Sequence, residues 1–140
     1  MMNYDIIFYI SKKTAYSERA LTKALSQIRF QKQRVASSTT PTELGKKVTE
    51  SLRRCPLTVI IGGLSSIDDD NLSTVLSRVL SNSSLTLKNL RKLTAPSGHS
   101  GYIIRYQNQI LLALPDSPED IREMLSPALL EFIKEKCAAC

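Results

Sequence analysis

The stretch Thr58–Leu76, TVIIGGLSSIDDDNLSTVL, decides how the rest of the chain is read. With Leu57 before it, it begins LTVII, a run of apolar and β-branched residues without alternation. Such a short run reads as a strand buried on both faces, as at the centre of a parallel sheet. Gly62 and Gly63 end it, and Ser66 or Asp68 can then cap a helix whose apolar stripe is Leu72, Val75, Leu76, Val79 and Leu80. A glycine turn between a strand and a helix start brings backbone N–H groups close enough to cradle a phosphate. The three successive carboxylates Asp68, Asp69 and Asp70 would repel that phosphate unless they bind a metal ion, serve a chemical step, or simply cap the helix.

Upstream, YDIIFYI (Tyr4–Ile10) reads as a first buried strand. Ser17 is placed to cap a helix carrying Leu21, Ala24, Leu25 and Ile28 on one face, and QRVASS (Gln33–Ser38) is a weaker second strand. In TPTE, Thr40 is an N-cap, Pro41 takes the first helical position and Glu43 closes a capping box. Leu44, Val48 and Leu52 follow on one face, and Pro56 stops that helix. Downstream, Ser81–Gly101 is polar and loop-rich, with a short strand over Leu90–Thr94. Gly101–Pro115 reads as a hairpin turning at Gln107–Asn108. Ser117 caps a last helical region with Pro118 first and Asp120 third, and Ile121, Met124, Leu125, Leu129 and Ile133 continue its apolar face. Pro127 must kink that region or split it, with Ser126 as the new cap. Strand and helix thus alternate three times over before a hairpin. The expected fold is a single α/β domain over residues 1–140, three-layer αβα, with a mainly parallel sheet and an antiparallel hairpin.

A chain of 140 residues can bury a real core as one domain. Its net charge of +6 is unevenly spread, with no Asp or Glu between Glu18 and Glu43 or between Asp70 and Asp116. That asymmetry suits an anionic partner, a phosphorylated small molecule or nucleic acid, as well as a plain solvated basic face. Lys88, Arg91 and Lys92 with Tyr102 and Tyr106 are the candidates for a nucleic-acid surface. Aromatics are only 6% of the chain, and no recognisable nucleic-acid-binding signature accompanies them, so nucleic acid is not the expected partner. His99 in PSGHSG is near Ser97 and Ser100, but no strand–turn–helix elbow surrounds a nucleophile pair there. Cys55, Cys137 and Cys140 are too few, and odd in number, for a disulfide framework. The terminal C-x-x-C of Cys137 and Cys140 has no second motif to complete a metal site and reads as a frayed helix end. No apolar run reaches the ~18–20 residues of a membrane span, and MMNYDIIFYISKK reads as a strand rather than a signal peptide, so a cytoplasmic protein is expected.

IIGGLSSIDDDNL followed later by ILLALPDSPEDIREML resembles the molybdopterin-binding domain family, which includes molybdopterin adenylyltransferases, the gephyrin G domain and the N-terminal domain of competence-damage (CinA-like) proteins. Gly62 and Gly63 match the family's paired glycines, and Asp69 and Asp70 its acidic pair. Leu114, Pro115 and Pro118 match a later L-P-G-x-P motif, with Glu119 and Met124 in the helix after it and Gly101 ahead of the hairpin. The order of elements agrees over Tyr4–Ile133. The resemblance implies a ligand site made of Gly62, Gly63, Leu64, Ser65, Ser66 and Asp69 with Pro115, Ser117 and Pro118, holding molybdopterin or a nucleotide. It also implies Mg²⁺ on Asp69 and Asp70, a catalytic role for Asp70, and trimers, as in relatives.

The chain departs from the pattern at the site. Ile61 stands in place of a threonine, Ser65 in place of a third glycine, and Asp116 in place of the glycine of L-P-G-x-P. Ile67 is apolar in a polar loop, and no carboxylate follows the second strand before Glu43. Losing one member of a catalytic set lowers rates by orders of magnitude. The expectation is therefore ligand binding with the family's adenylyl transfer weakened or lost, and whether the chain is an enzyme stays open. The alternative is a non-catalytic domain that keeps the fold for assembly or regulation.

Overall fold

The computed structural model describes residues 2–11, 14–62, 90–106 and 109–138. Six strands lie in one sheet: β1 (Met2–Tyr9), β2 (Phe30–Ser38), β3 (Leu57–Ile61), β4 (Leu90–Thr94), β5 (Ser100–Tyr106) and β6 (Gln109–Leu114), in the order β2-β1-β3-β6-β5-β4. The β2, β1, β3 and β6 contacts are parallel, and β6–β5 and β5–β4 are antiparallel. The fold is thus the mixed α/β sheet expected, parallel at its centre with the hairpin at one side. The helices described are α1 (Thr14–Ser26), α2 (Pro41–Arg54), α3 (Pro118–Met124) and α4 (Pro127–Ala138). None of the described helices is long and apolar enough to cross a membrane.

LTVII is β3 to the residue, and all five of its side chains are buried. It lies between β1 and β6 in the register Tyr4↔Leu57↔Ile110 to Phe8↔Ile61↔Leu114. Each strand divides its side chains between two faces. Ile6, Phe8, Val59, Ile61 and Leu112 join Leu21 and Leu25 of α1, Ile121 of α3 and Ile133 of α4 in one core. Ile7, Tyr9, Ile60 and Leu111 join Leu44, Val48 and Leu52 of α2 in the other. The three-layer expectation holds.

Local signals place the helix ends. The Thr40 hydroxyl accepts from Glu43 N at 3.2 Å at the start of α2. The Ser117 hydroxyl accepts from Asp120 N at 3.4 Å at the start of α3. Leu125 leaves the helical region, and Ser126 caps a new helix by accepting from Leu129 N at 3.2 Å, so Pro127 splits the last helical region.

Three expectations change. α1 begins at Thr14, so Ser17 is inside the helix rather than its cap. The Ser17 hydroxyl is fully buried and donates to Asp116 Oδ1 at 2.7 Å, a partner 99 residues away that local reasoning cannot supply. β2 starts at Phe30, three residues earlier than QRVASS, where buried Phe30 pairs with Met2 and anchors a strand whose middle is largely exposed. A register shift skips Gln33, a bulge whose side-chain oxygen accepts from Cys55 Sγ at 3.2 Å. Cys137 is not at a frayed end: α4 continues past it and its side chain is fully buried.

Candidate functional site

In an open α/β sheet the ligand crevice lies beyond the carboxyl ends of the parallel strands, where successive connections leave in opposite directions. Here that point is between β1 and β3: α1 covers one face of the sheet and α2 the other. The segments after β1, β3 and β6 meet there. Gly62 N donates to Leu114 O at 3.0 Å, and Ile10 N donates to Ser38 O at 3.2 Å. Ser17 of α1 holds Asp116 in the loop after β6.

Gly62 has φ +104°, and a Cβ there would lie 2.2 Å from Tyr9 O. The residue must be glycine because the backbones of β1 and β3 touch as they leave the sheet. Its own N–H is already committed to Leu114, so amide donors for a phosphate must come from later residues of the loop. Gly63, Leu64, Ser65, Ser66, Asp69 and Asp70 lie outside the described residues, as do the helix stripe Leu72–Leu80, Lys88 and Cys140. Ile10, facing the same crevice edge, adopts φ +49° with its side chain 54% exposed. A β-branched residue in the left-handed region is strained, and such strain gathers at functional crevices.

The loop after β6 is organised by hydrogen bonds. Pro115 is buried and its carbonyl accepts from Ser117 N at 2.8 Å. Ser117 uses its hydroxyl as the cap of α3, and Pro118 fills the first turn where a missing N–H costs nothing. Pro115, Ser117 and Pro118 follow directly on Leu114, whose carbonyl accepts from Gly62 N. Asp116 introduces a carboxylate into this loop, half-buried and held by Ser17.

The sequence did not reveal the group that closes the edge on its hairpin side. The β5–β6 register, Tyr102↔Ala113, carries the turn Ala95–His99 to the same end of the sheet. Gly101 allows this pairing, since a Cβ would meet Ala113 O at 2.7 Å. Asp120, buried in α3, receives both side chains of the turn: Ser97 Oγ donates to Oδ1 at 2.8 Å, and His99 Nδ1 lies 2.6 Å from Oδ2. Burial alone would raise the Asp120 pKa, but hydrogen bonds from His99, Ser97 and Ser117 outweigh it and hold the carboxyl below its ordinary value. The Ser97 hydroxyl is thus spent on Asp120 and does not pair with His99 as a nucleophile. Among the described residues no cluster of three or more His, Cys, Asp or Glu side chains is arranged to hold a metal ion.

These features define a class first: an open α/β domain with a crevice at its central strand ends. The solved structures then narrow it. The structure of CinA from Thermoplasma acidophilum, a protein of unknown function, matches with TM-score 0.73 and 18% identity over 94% of this chain and 98% of that one. The molybdopterin biosynthesis enzyme MoaB of Thermus thermophilus matches with TM-score 0.70 and 19% identity, covering 96% and 98%. A molybdopterin biosynthesis protein from Mycobacterium abscessus matches with TM-score 0.68 and 15% identity, covering 99% and 98%. No known protein-family profile matches the chain, and no curated protein matches it. At these identities the likeness shows the fold: this chain has the architecture of the CinA and MoaB structures, as its motifs suggest.

Proposed function

We propose that the chain binds a phosphorylated pterin or a nucleotide in the crevice between the β1 and β3 ends. Gly62, Gly63, Leu64, Ser65, Ser66 and Asp69 form one wall of that site, and Pro115, Ser117 and Pro118 form the other. The observation that supports this reading most directly is the convergence of the three parallel strand ends on Gly62, at φ +104° and in contact distance of Tyr9 O. Two of the similar solved structures are of molybdopterin biosynthesis proteins, which supports a pterin as the ligand class. In this reading Asp69 and Asp70 would hold Mg²⁺, with Asp70 the residue on which any catalytic step depends. The adenylyl transfer of relatives is weakened or lost, and the protein works in the cytoplasm.

A second reading has its own observation. Asp116 sets a carboxylate, fixed by Ser17, in the loop where an anionic ligand would lie, which favours a non-catalytic assembly or regulatory domain, trimeric as in relatives. Thermal melts with pterin phosphates, ATP and GTP, with and without Mg²⁺, separate the two. A bound ligand at 100 times its Kd adds about 2.7 kcal/mol of stability. No shift with any of them removes the binding reading. Activity unchanged in Asp70→Asn removes Asp70 from catalysis.

A further inference from the structure

The groove between α1 and α3 carries chemistry that the crevice does not use. Tyr16, Arg19 and Lys23 lie on one face of α1, with Arg19 and Lys23 four residues, or about 6 Å, apart along the axis. Ala20 lines the groove beside them and is buried, which lets α3 approach closely. From α3 and its cap, Ser117, Pro118, Glu119 and Arg122 complete the lining of a cavity of about 590 Å³, a size typical of small-molecule sites. Three cations and one carboxylate leave a surplus of two positive charges. Among the described residues, Arg19, Lys23 and Arg122 make no ion pair, whereas nearby Lys32 is paired with Glu18. Tyr16 is 66% exposed, the most exposed of the large hydrophobic side chains described.

Like charges held close on rigid helices cost energy that a multivalent anion recovers, and two guanidinium forks bind phosphate oxygens in pairs. A single phosphate meets one of these cations well. A chain of phosphates can follow Arg19 and Lys23 along α1 and reach Arg122 across the groove. We propose that this groove is a binding site for a polyphosphate chain, free or esterified, with Arg19, Lys23 and Arg122 taking the phosphates and Tyr16 the flat ring of an ester. The groove meets the proposed crevice wall at Ser117 and Pro118, but Arg19, Lys23 and Arg122 belong to the groove alone, so variants of these cations separate the two sites.

Titration of the full chain with tripolyphosphate, orthophosphate and ATP at fixed ionic strength tests this. Tripolyphosphate is expected to bind at least tenfold more tightly than orthophosphate. Arg19→Gln and Arg122→Gln should each weaken tripolyphosphate and ATP at least tenfold, with the melting temperature unchanged because both side chains are exposed and make no ion pair among the described residues. Tyr16→Ala should weaken ATP and spare tripolyphosphate if the esterified form is the ligand, and affect neither if the free chain is. Absence of tripolyphosphate binding, or equal binding by the arginine variants, overturns the proposal. ATP binding that ignores the groove variants overturns it and leaves the crevice reading standing. Tripolyphosphate binding through the groove, with no pterin or nucleotide held at the crevice, does the reverse. A short RNA that displaces tripolyphosphate with steep salt dependence overturns the small-ligand assignment.

Discussion

Two buried carboxylates stand at opposite ends of the sheet. Asp120, at the strand-end edge, has each of its oxygens matched to a side chain of the β4–β5 turn. Asp5, near the other end of β1, pairs with Arg54 of α2 through one oxygen, and its Oδ1 has no partner. Both are nearly closed to solvent, at 4% and 3% exposed. The difference is in what they join. Arg54 and Asp5 lock a helix end to a strand, elements already rigid. Asp120 joins a turn to a helix start across the hairpin side of the edge. The first pair secures the fold, and the second shapes the rim of the crevice.

Breaking the lower pair should have the largest effect. Arg54→Leu leaves a buried carboxylate uncompensated and is expected to cost about 3 kcal/mol, the low end for such pairs because Arg54 is partly solvated. Chemical denaturation measures this, and Asp5→Leu added to it should recover most of the loss. A double variant no more stable than the single one would show that the ion pair itself holds α2 down.

Asp120→Asn comes next, at about 1–3 kcal/mol for a disrupted buried hydrogen-bond network. The folded state holds the Asp120 carboxyl below its ordinary value, so the unfolded chain binds the proton first as pH falls. The stabilisation is therefore complete above about pH 4 and fades through the lowered folded value. Melts of the wild type and the variant should converge in acid. A constant gap would show that the charge is not what matters.

The lower end should instead respond to alkali. Burial pushes the Tyr4 phenol from 10.0 up to about 12, with Glu18 adding to it. Burial pushes the Cys55 thiol from 9.0 up to about 11, with Asp5 adding to it. Both groups keep their protons longer when folded, so the unfolded chain loses them first. Stability is full below pH 9 and declines as pH rises through 9–12. Tyrosine absorbance followed against unfolding checks it. Native-state alkylation at pH 8 should also leave Cys55 and Cys137, both buried, unlabelled while the chain stays folded. The smallest effect belongs to a cap that bonds to neither carboxylate: Thr40→Ala removes the α2 cap and should cost about 1 kcal/mol wherever the pH stands.

The same contrast explains what could be read from the chain. Features carried by neighbours in sequence were legible. LTVII has the composition of a central strand, Thr40, Ser117 and Ser126 each sit before a proline, and Leu90–Thr94 is short but strand-like. Features made by distant partners were not. Nothing near Ser17 announces Asp116, and α1 begins earlier because that side chain was needed across the domain rather than at a cap. His99 was noticed beside Ser97, but their common partner, Asp120, arrives only when β5 and β6 pair. The groove cations divide between α1 and α3, so no local pattern could gather them. At the crevice, Gly62 was recognised as a glycine position, yet its immediate cause is Tyr9 O, 53 residues upstream.

The pairing of β3 has a consequence for the chain before it is complete. Its two partners are each 53 positions away, Tyr4 upstream of Leu57 and Ile110 downstream. During synthesis β3 can join β1 long before β6 exists. Until then LTVII has one edge open, with no charge and no proline within it, the composition that sticks to other chains. The strand most protected in the finished protein is therefore the one most exposed to aggregation in the unfinished one, and refolding should scatter light increasingly as concentration rises until β6 closes that edge.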